Sequence, residues 1–185
     1  MLLSSAPPRL RAREVARPFH IVLVEPEIPP NTGNVARLCV ASGCALHLVG
    51  KLGFRIDSHA VRRAGLDYWE ALELHQHRTF AEAEANLATP LTEASRPPRS
   101  FLFSGYAEQS YLDVEFCYGD RLVFGRESVG LDRELLAARS VDVVGIPLLG
   151  PVRSLNLANS VAIALYEGLR RLGLLSSAQL TTSHG

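Results

Sequence analysis

Net charge is missing from this sequence: 19 basic and 19 acidic residues cancel, so no global field draws the chain toward nucleic acid. Any RNA-binding surface therefore has to be a local patch. Lysine is almost missing too, since Lys51 is the one basic residue that is not arginine, a bias that genome composition explains as readily as phosphate recognition. Cysteine is scarce. Cys39, Cys44 and Cys117 cannot pair completely and match no zinc spacing, so they read as buried thiols in a reducing cytoplasm. His75 and His77 stand in a polar stretch with no acidic or cysteine partner in a ligand pattern, and read as surface residues with no metal. No apolar run approaches the roughly 20 residues of a membrane span. The opening MLLSSAPPRLRAREVARP lacks a long apolar segment and does not read as a secretory signal, so a cytoplasmic location is expected. GxSxG, Walker A and GxGxxG patterns are all absent, which removes the usual grounds for hydrolase, nucleotide triphosphatase or dinucleotide chemistry.

What is present is an α/β pattern. With 185 residues, 47% hydrophobic and 21% charged, the chain is expected to form one domain with a real core. Short β-rich runs alternate with amphipathic or turn-bounded stretches, which predicts a mostly parallel sheet flanked by helices. Strands are expected near 20–24, 45–49, 100–104, 121–124 and 141–146, with a weaker one at 71–74. Helices are expected over 32–42, 57–64, 79–88, 131–139 and 154–172. The last has Leu155, Ala158, Ala162, Leu165, Leu169 and Leu172 at spacings of three and four, a stripe that serves either the core or a subunit contact. Residues 1–18 read as a flexible arm, 19–173 as the domain and 174–185 as a flexible tail.

Three stretches carry polar residues at strand ends. In EPEIPPNTGNVAR, 25–37, Pro29-Pro30 stiffens the exit from a strand, and Asn31 or Thr32 is placed to cap a helix on which Arg37 follows. A cap plus a surface arginine would explain that segment alone. In LVFGRESVGL, 122–131, Gly125 lets backbone or ligand approach closely, and Glu127 is the single carboxylate of the set. In IPLLGPVRSLNLANS, 146–160, Ser154 is placed to cap the long helix, which leaves Asn156 and Asn159 in need of another partner. Such loops bind and align rather than perform hard acid/base chemistry.

In this order the three stretches resemble the motifs of the SPOUT superfamily of RNA methyltransferases, in its SpoU branch of ribose 2′-O-methyltransferases. EPEIPPNTGNVARLC together with RRAGLDYWE, 62–70, is similar to the minimal TrmL or YibK-like subgroup, which methylates the wobble nucleotide of certain tRNAs. The resemblance implies a parallel sheet whose C-terminal part, over 120–160, is threaded into a deep trefoil knot, which general topology rules would have argued against. It implies S-adenosyl-L-methionine bound near Phe103, Gly125, Ile146, Ser154 and Leu155. It assigns catalysis to Asn31, Arg37, Glu127, Ser154 and Asn156, and it implies a homodimer that grips a tRNA anticodon loop. Arg126 departs from the pattern where proline or a small residue is expected after FG, Asp132 departs where proline is common after Leu131, and SGYAEQS after Phe103 fits loosely. A ribosomal RNA target, another tRNA position, a non-catalytic RNA-binding module and a small-molecule nucleotide binder stay open as alternatives.

Overall fold

The structure, a computed structural model, describes residues 9–15, 17–54, 69–87, 94–176 and 179–181. The helix expected over 57–64 and all but Trp69 and Glu70 of the 62–70 segment lie outside the described residues. β1 (Arg9–Arg11) and β9 (Gln179–Thr181), which fall within the expected arm and tail, pair antiparallel as a small separate sheet.

The apolar runs become strands because β-branched and aromatic side chains pack well on a pleated surface. The strands of the main sheet are β2 (Phe19–Val24), β3 (Ala45–Val49), β4 (Leu74–His77), β5 (Ser100–Phe103), β6 (Gln109–Ser110), β7 (Asp120–Phe124) and β8 (Val143–Gly145), of which β4 and β6 are polar edge strands. Their order is β4-β3-β2-β7-β5-β8-β6, and every pairing is parallel. A sheet covered on both faces explains why β3 and β7 are buried along their whole length. The edge strand β4 is half exposed, so its apolar signal is weak; it begins at Leu74, after a 3-10 turn at Trp69–Ala71, and not at 71 as expected.

Among the described residues four helices cover the faces: α1 (Pro29–Ser42), α2 (Phe80–Asn86), α3 (Arg133–Ala138) and α4 (Leu157–Arg171). Phe19, Ile21 and Leu23 point toward Val35 and Cys39 of α1 and Val161 and Leu165 of α4. Val22, Leu102 and Val123 point the other way, toward Ala83 of α2 and Leu135 of α3. The stripe of α4 is therefore core: Leu165 and Leu169 are buried within the chain, while Ile163 and Tyr166 face outward. Asp120 is fully buried at the start of β7 and receives both guanidinium nitrogens of Arg96, at 2.8 and 2.7 Å, with the Cys117 and Arg99 amides.

The strand order places the site. From β2 the chain passes outward to β3, while β7 lies on the other side of β2 and leads on toward β8, so the chain leaves these two neighbouring strands in opposite directions. In open parallel sheets a crevice forms at such a switch point, beyond the carboxyl ends of the strands.

The histidines behave differently from the sequence expectation. His77 is buried, and with His20 and His47 it forms a ladder across three neighbouring strands: His20 Nδ1 to His47 Nε2 at 3.0 Å, and His47 Nδ1 to His77 Nε2 at 3.0 Å. Asn86 Nδ2 at 3.4 Å from His77 Nδ1 closes it, and neutral rings, each with one donor and one acceptor, satisfy it throughout. His75 stays half exposed beside Glu73. The parallel register pairs His47 with Val22 and His75, so His20, His47 and His77 stand two residues out of register at each step, a diagonal across one face of the sheet that is invisible in the chain order. Among the described residues no group of three or more His, Cys, Asp or Glu is arranged to hold a metal.

Burial, reinforced by Arg121, lowers the His20 pKa from 6.5 to about 4, and burial with His20 nearby lowers that of His47 to about 2. The unfolded chain therefore binds protons below pH 6.5 that the fold refuses, so stability is complete above pH 6.5 and is lost as pH falls toward these values. Between pH 6.5 and 5 each ring should cost on the order of 1–2 kcal/mol. Urea midpoints should fall across that interval, with a shallower slope in His47→Leu; an equal slope in that variant would contradict the ladder's role.

Candidate active site

Three loops meet at the switch point. Pro29 and Pro30 occupy the first two positions of α1, where a missing amide hydrogen costs nothing, so the helix starts at the prolines and not at 32 as expected. Its N-cap is Ile28, which offers no side-chain cap, and this corrects the expectation that Asn31 or Thr32 would serve. Asn31 is left with its amide committed elsewhere. Its Nδ2 donates to Glu127 Oε1 at 2.9 Å, and its Oδ1 accepts from Asn156 Nδ2 at 2.9 Å.

Glu127 also accepts from the Glu27 amide at 2.8 Å and the Ile28 amide at 3.3 Å. The exchange is reciprocal: the Ser128 amide and hydroxyl donate to the Glu27 carboxylate at 3.0 and 2.9 Å, and Ser128 holds that carboxyl below its usual pKa range. Arg126 adds an ion pair to Glu25 at 3.3 Å. The loop after β7 is closed by paired backbone bonds between Arg126 and Gly130. It closes that tightly because Gly125 has no side chain: a Cβ there would lie 2.2 Å from the Gly130 and Leu131 backbone.

The roles expected of Ser154 and Asn156 are exchanged. Asn156 is the N-cap of α4, its Oδ1 accepting from the Ala158 and Asn159 amides at 2.9 and 3.3 Å, and this answers why a poor helix former stands there. Ser154 stays in the extended loop before the helix, exposed and facing the cleft. The departure at Asp132 is likewise a cap, with Oδ1 accepting from Glu134 at 2.8 Å in α3.

The loops enclose a cleft of about 670 Å³, within the range of small-molecule sites. Asn31, Glu127, Ser154 and Asn156 all line it, as do Phe103, Gly125 and Leu155. Ile146 lines an adjoining hollow of about 100 Å³ that shares Phe103, Ser154 and Leu155. One wall is flat and apolar, with Phe103 stacked on Phe124 at 4.6 Å and 14° between the rings. Among the described residues, 147–155 makes no backbone–backbone hydrogen bond, so its peptide groups remain available to a ligand. Arg37 is the exception: it is exposed on α1 and is not part of the cleft wall.

Glu25, Glu27, Ser128, Tyr106 and Arg153 escaped the sequence reading. The two acids flanking Pro26 were the one available signal, since carboxylates at a strand exit need donors. Glu127→Gln puts an amide donor against another donor and should cost on the order of 1–3 kcal/mol in urea unfolding. Gly125→Ala should open the 125–130 turn and abolish ligand binding in the cleft by calorimetry; native affinity in that variant would contradict the close packing described.

Comparison with known proteins is consistent with this geometry. The chain is 44% identical over 159 residues to an Acidovorax sp. protein named tRNA (cytidine(34)-2′-O)-methyltransferase, covering 85% of this chain and 94% of the relative. A solved structure described as giving insight into 2-OH methylation of C/U34 on tRNA superposes with TM-score 0.75 at 46% identity, covering 84% of this chain and 96% of that one. An AdoMet-bound rRNA methyltransferase from Sinorhizobium meliloti shares the fold at TM-score 0.70 and 23% identity, covering 84% of this chain and 59% of its own. Residues 18–166 match the SpoU rRNA Methylase family, and the chain belongs to that family.

Proposed function

We propose that this chain is an S-adenosyl-L-methionine-dependent methyltransferase that modifies the ribose 2′-hydroxyl of nucleotide 34, the wobble position, in the anticodon loop of certain tRNAs. The observation that carries the reading is the joining of three distant loops around one cleft by the Glu127–Asn31–Asn156 hydrogen bonds, in a chain 44% identical to a protein named for that activity. The residues present suit the cofactor: a flat aromatic wall, a glycine-lined floor and a loop with unengaged peptide groups. Phe103, Gly125, Ile146, Ser154 and Leu155 would hold it. When bound, it supplies a methyl group already activated on a sulfonium.

The protein's share of the reaction is alignment and electrostatics. Asn31, pinned at both ends of its amide, gives the ribose a fixed polar neighbour, and Glu127 holds that amide in place. Ser154 and Asn156 set the loop against the bound nucleotide. A guanidinium group carries donors but no acceptor atom, so the part proposed for Arg37 is to grip the adjacent phosphate and polarise the 2′-oxygen, with the proton leaving to phosphate or water. An anticodon loop suits such a site because its bases are unstacked and its 2′-hydroxyls accessible.

The same reading includes a knotted path, in which 147–156 passes beside 103–105 and 125–130 before α4 lands on α1 and β7; the Arg153 carbonyl lying 3.6 Å from where a Gly105 Cβ would sit supports it. It includes a homodimer covering Ile163 and Tyr166, which are 39% and 46% exposed on α4. It places a single catalytic domain at 19–173, with 1–18 and 174–185 as appendages, and the enzyme in the cytoplasm with its substrate. A ribosomal RNA target is the second reading, favoured by the description of the matching family.

Incubation with tritiated S-adenosylmethionine and total tRNA should label tRNA, and mass spectrometry should map the 2′-O-methyl group to nucleotide 34; label in ribosomal RNA alone would favour the second reading. Arg37→Lys keeps the charge but loses the fork, and should lower kcat at least tenfold if the grip is bidentate, as roughly 1.4 kcal/mol implies. Near-normal turnover would remove that role.

A further inference from the structure

The residues that depart from the resembled motifs converge in space. Tyr106, in the loosely fitting SGYAEQS segment, and Arg126 line the same cleft, and Arg133, next to Asp132, lies with its guanidinium carbon 5.7 Å from the Tyr106 ring centroid. Tyr106 is 75% exposed, more than any other aromatic side chain among the described residues. It is not loose, however. The Ser104 hydroxyl accepts from the Tyr106 amide at 3.1 Å, and the Ser104 carbonyl accepts from Ala107 at 3.4 Å, so a short turn presents the ring. Arg153, exposed on the loop whose carbonyl lies 3.6 Å from the Gly105 Cβ position, has a side chain with no hydrogen bond or ion pair among the described residues, and the Arg133 side chain makes none beyond the ring contact.

An open aromatic ring backed by a cation, beside an arginine uncommitted within the described residues and at the mouth of a polar cleft, combines the two elements of single-stranded nucleic-acid binding. Aromatic faces stack bases, and guanidinium groups take the phosphates between them. Glu127 and Glu25 do not compete for these cations, since the first is occupied by amides and the second by Arg126.

We propose that Tyr106, held against Arg133, is a stacking platform for an unpaired nucleobase next to the nucleotide whose ribose enters the cleft, with Arg153 on the adjoining phosphate. This rests on the RNA methyltransferase reading above and adds a specificity determinant to it. Stacking is tolerant of base identity, so the platform selects for an unstacked loop nucleotide and against a base buried in duplex.

The test measures the affinity of a fluorescent anticodon stem-loop RNA by anisotropy and of S-adenosylmethionine by calorimetry, for wild type, Tyr106→Ala and Tyr106→Trp. Tyr106→Ala should weaken RNA binding roughly tenfold, as loss of one base stack implies, with cofactor affinity unchanged and Tyr106→Trp within twofold of wild type. An abasic residue on one side of nucleotide 34 should weaken the wild type to the same extent and cost Tyr106→Ala nothing further. The proposal is overturned if Tyr106→Ala binds RNA normally, if it loses cofactor affinity in parallel, or if Tyr106→Trp is as weak as the alanine variant. A wild-type chain that neither binds nor methylates tRNA overturns both readings, whereas normal methylation with an unaffected Tyr106→Ala overturns this one alone.

Discussion

The Glu127 carboxylate holds the site together. It accepts hydrogen bonds from the Glu27 and Ile28 amides and from Asn31, and Asn31 in turn receives Asn156, so residues about a hundred or more positions apart share one network. Bonds to an ionised acceptor are stronger than those between neutral groups, and a half-buried carboxylate with three donors leaves little freedom to any of the loops. The Glu27–Ser128 exchange locks the same two loops in the other direction. Removing the charge would loosen the frame on which the cleft depends, whether or not Glu127 ever touches a substrate.

The sheet makes this meeting possible. β2, β7, β5 and β8 lie side by side and parallel, so their carboxyl ends open on one edge and the loops that follow are neighbours in space. Stability comes from the two apolar layers, the Asp120–Arg96 clasp and the neutral histidine ladder, all within or beneath the sheet. The loops are thereby free to carry polar groups that a core would not tolerate. Gly125 marks the boundary, since a side chain there would collide with the backbone of its own turn.

A chain of zero net charge can still offer RNA a positive surface if its arginines are sorted. Inside the fold they are neutralised: Arg96 by Asp120, and Arg139 by Glu84 and Asp142. Around the cleft Arg153 and Arg133 are left exposed, while Arg126 is tied to Glu25. On the proposed reading, local exposure of charge would do what a global excess does in more basic RNA-binding proteins.

The sequence by itself determined the parallel α/β class, the central strands and the composition of the three polar loops, because apolar runs, proline pairs and strand-exit glycines act through local sterics. It also carried the resemblance from which Asn31, Glu127, Ser154 and Asn156 were named, and the structure sets all four around one cleft. Local rules misplaced what depends on a neighbour: α1 starts at the prolines, Asn156 and not Ser154 caps α4, and β4 begins late because a half-exposed edge strand has a weak pattern. Only the tertiary structure decided that His77 is buried, that the α4 stripe is core, that Arg37 stands outside the cleft wall and that Tyr106 meets Arg133. Each of these is set by strand register or by contact between segments far apart in the chain, and no periodicity along a single segment encodes which other segment lies beside it.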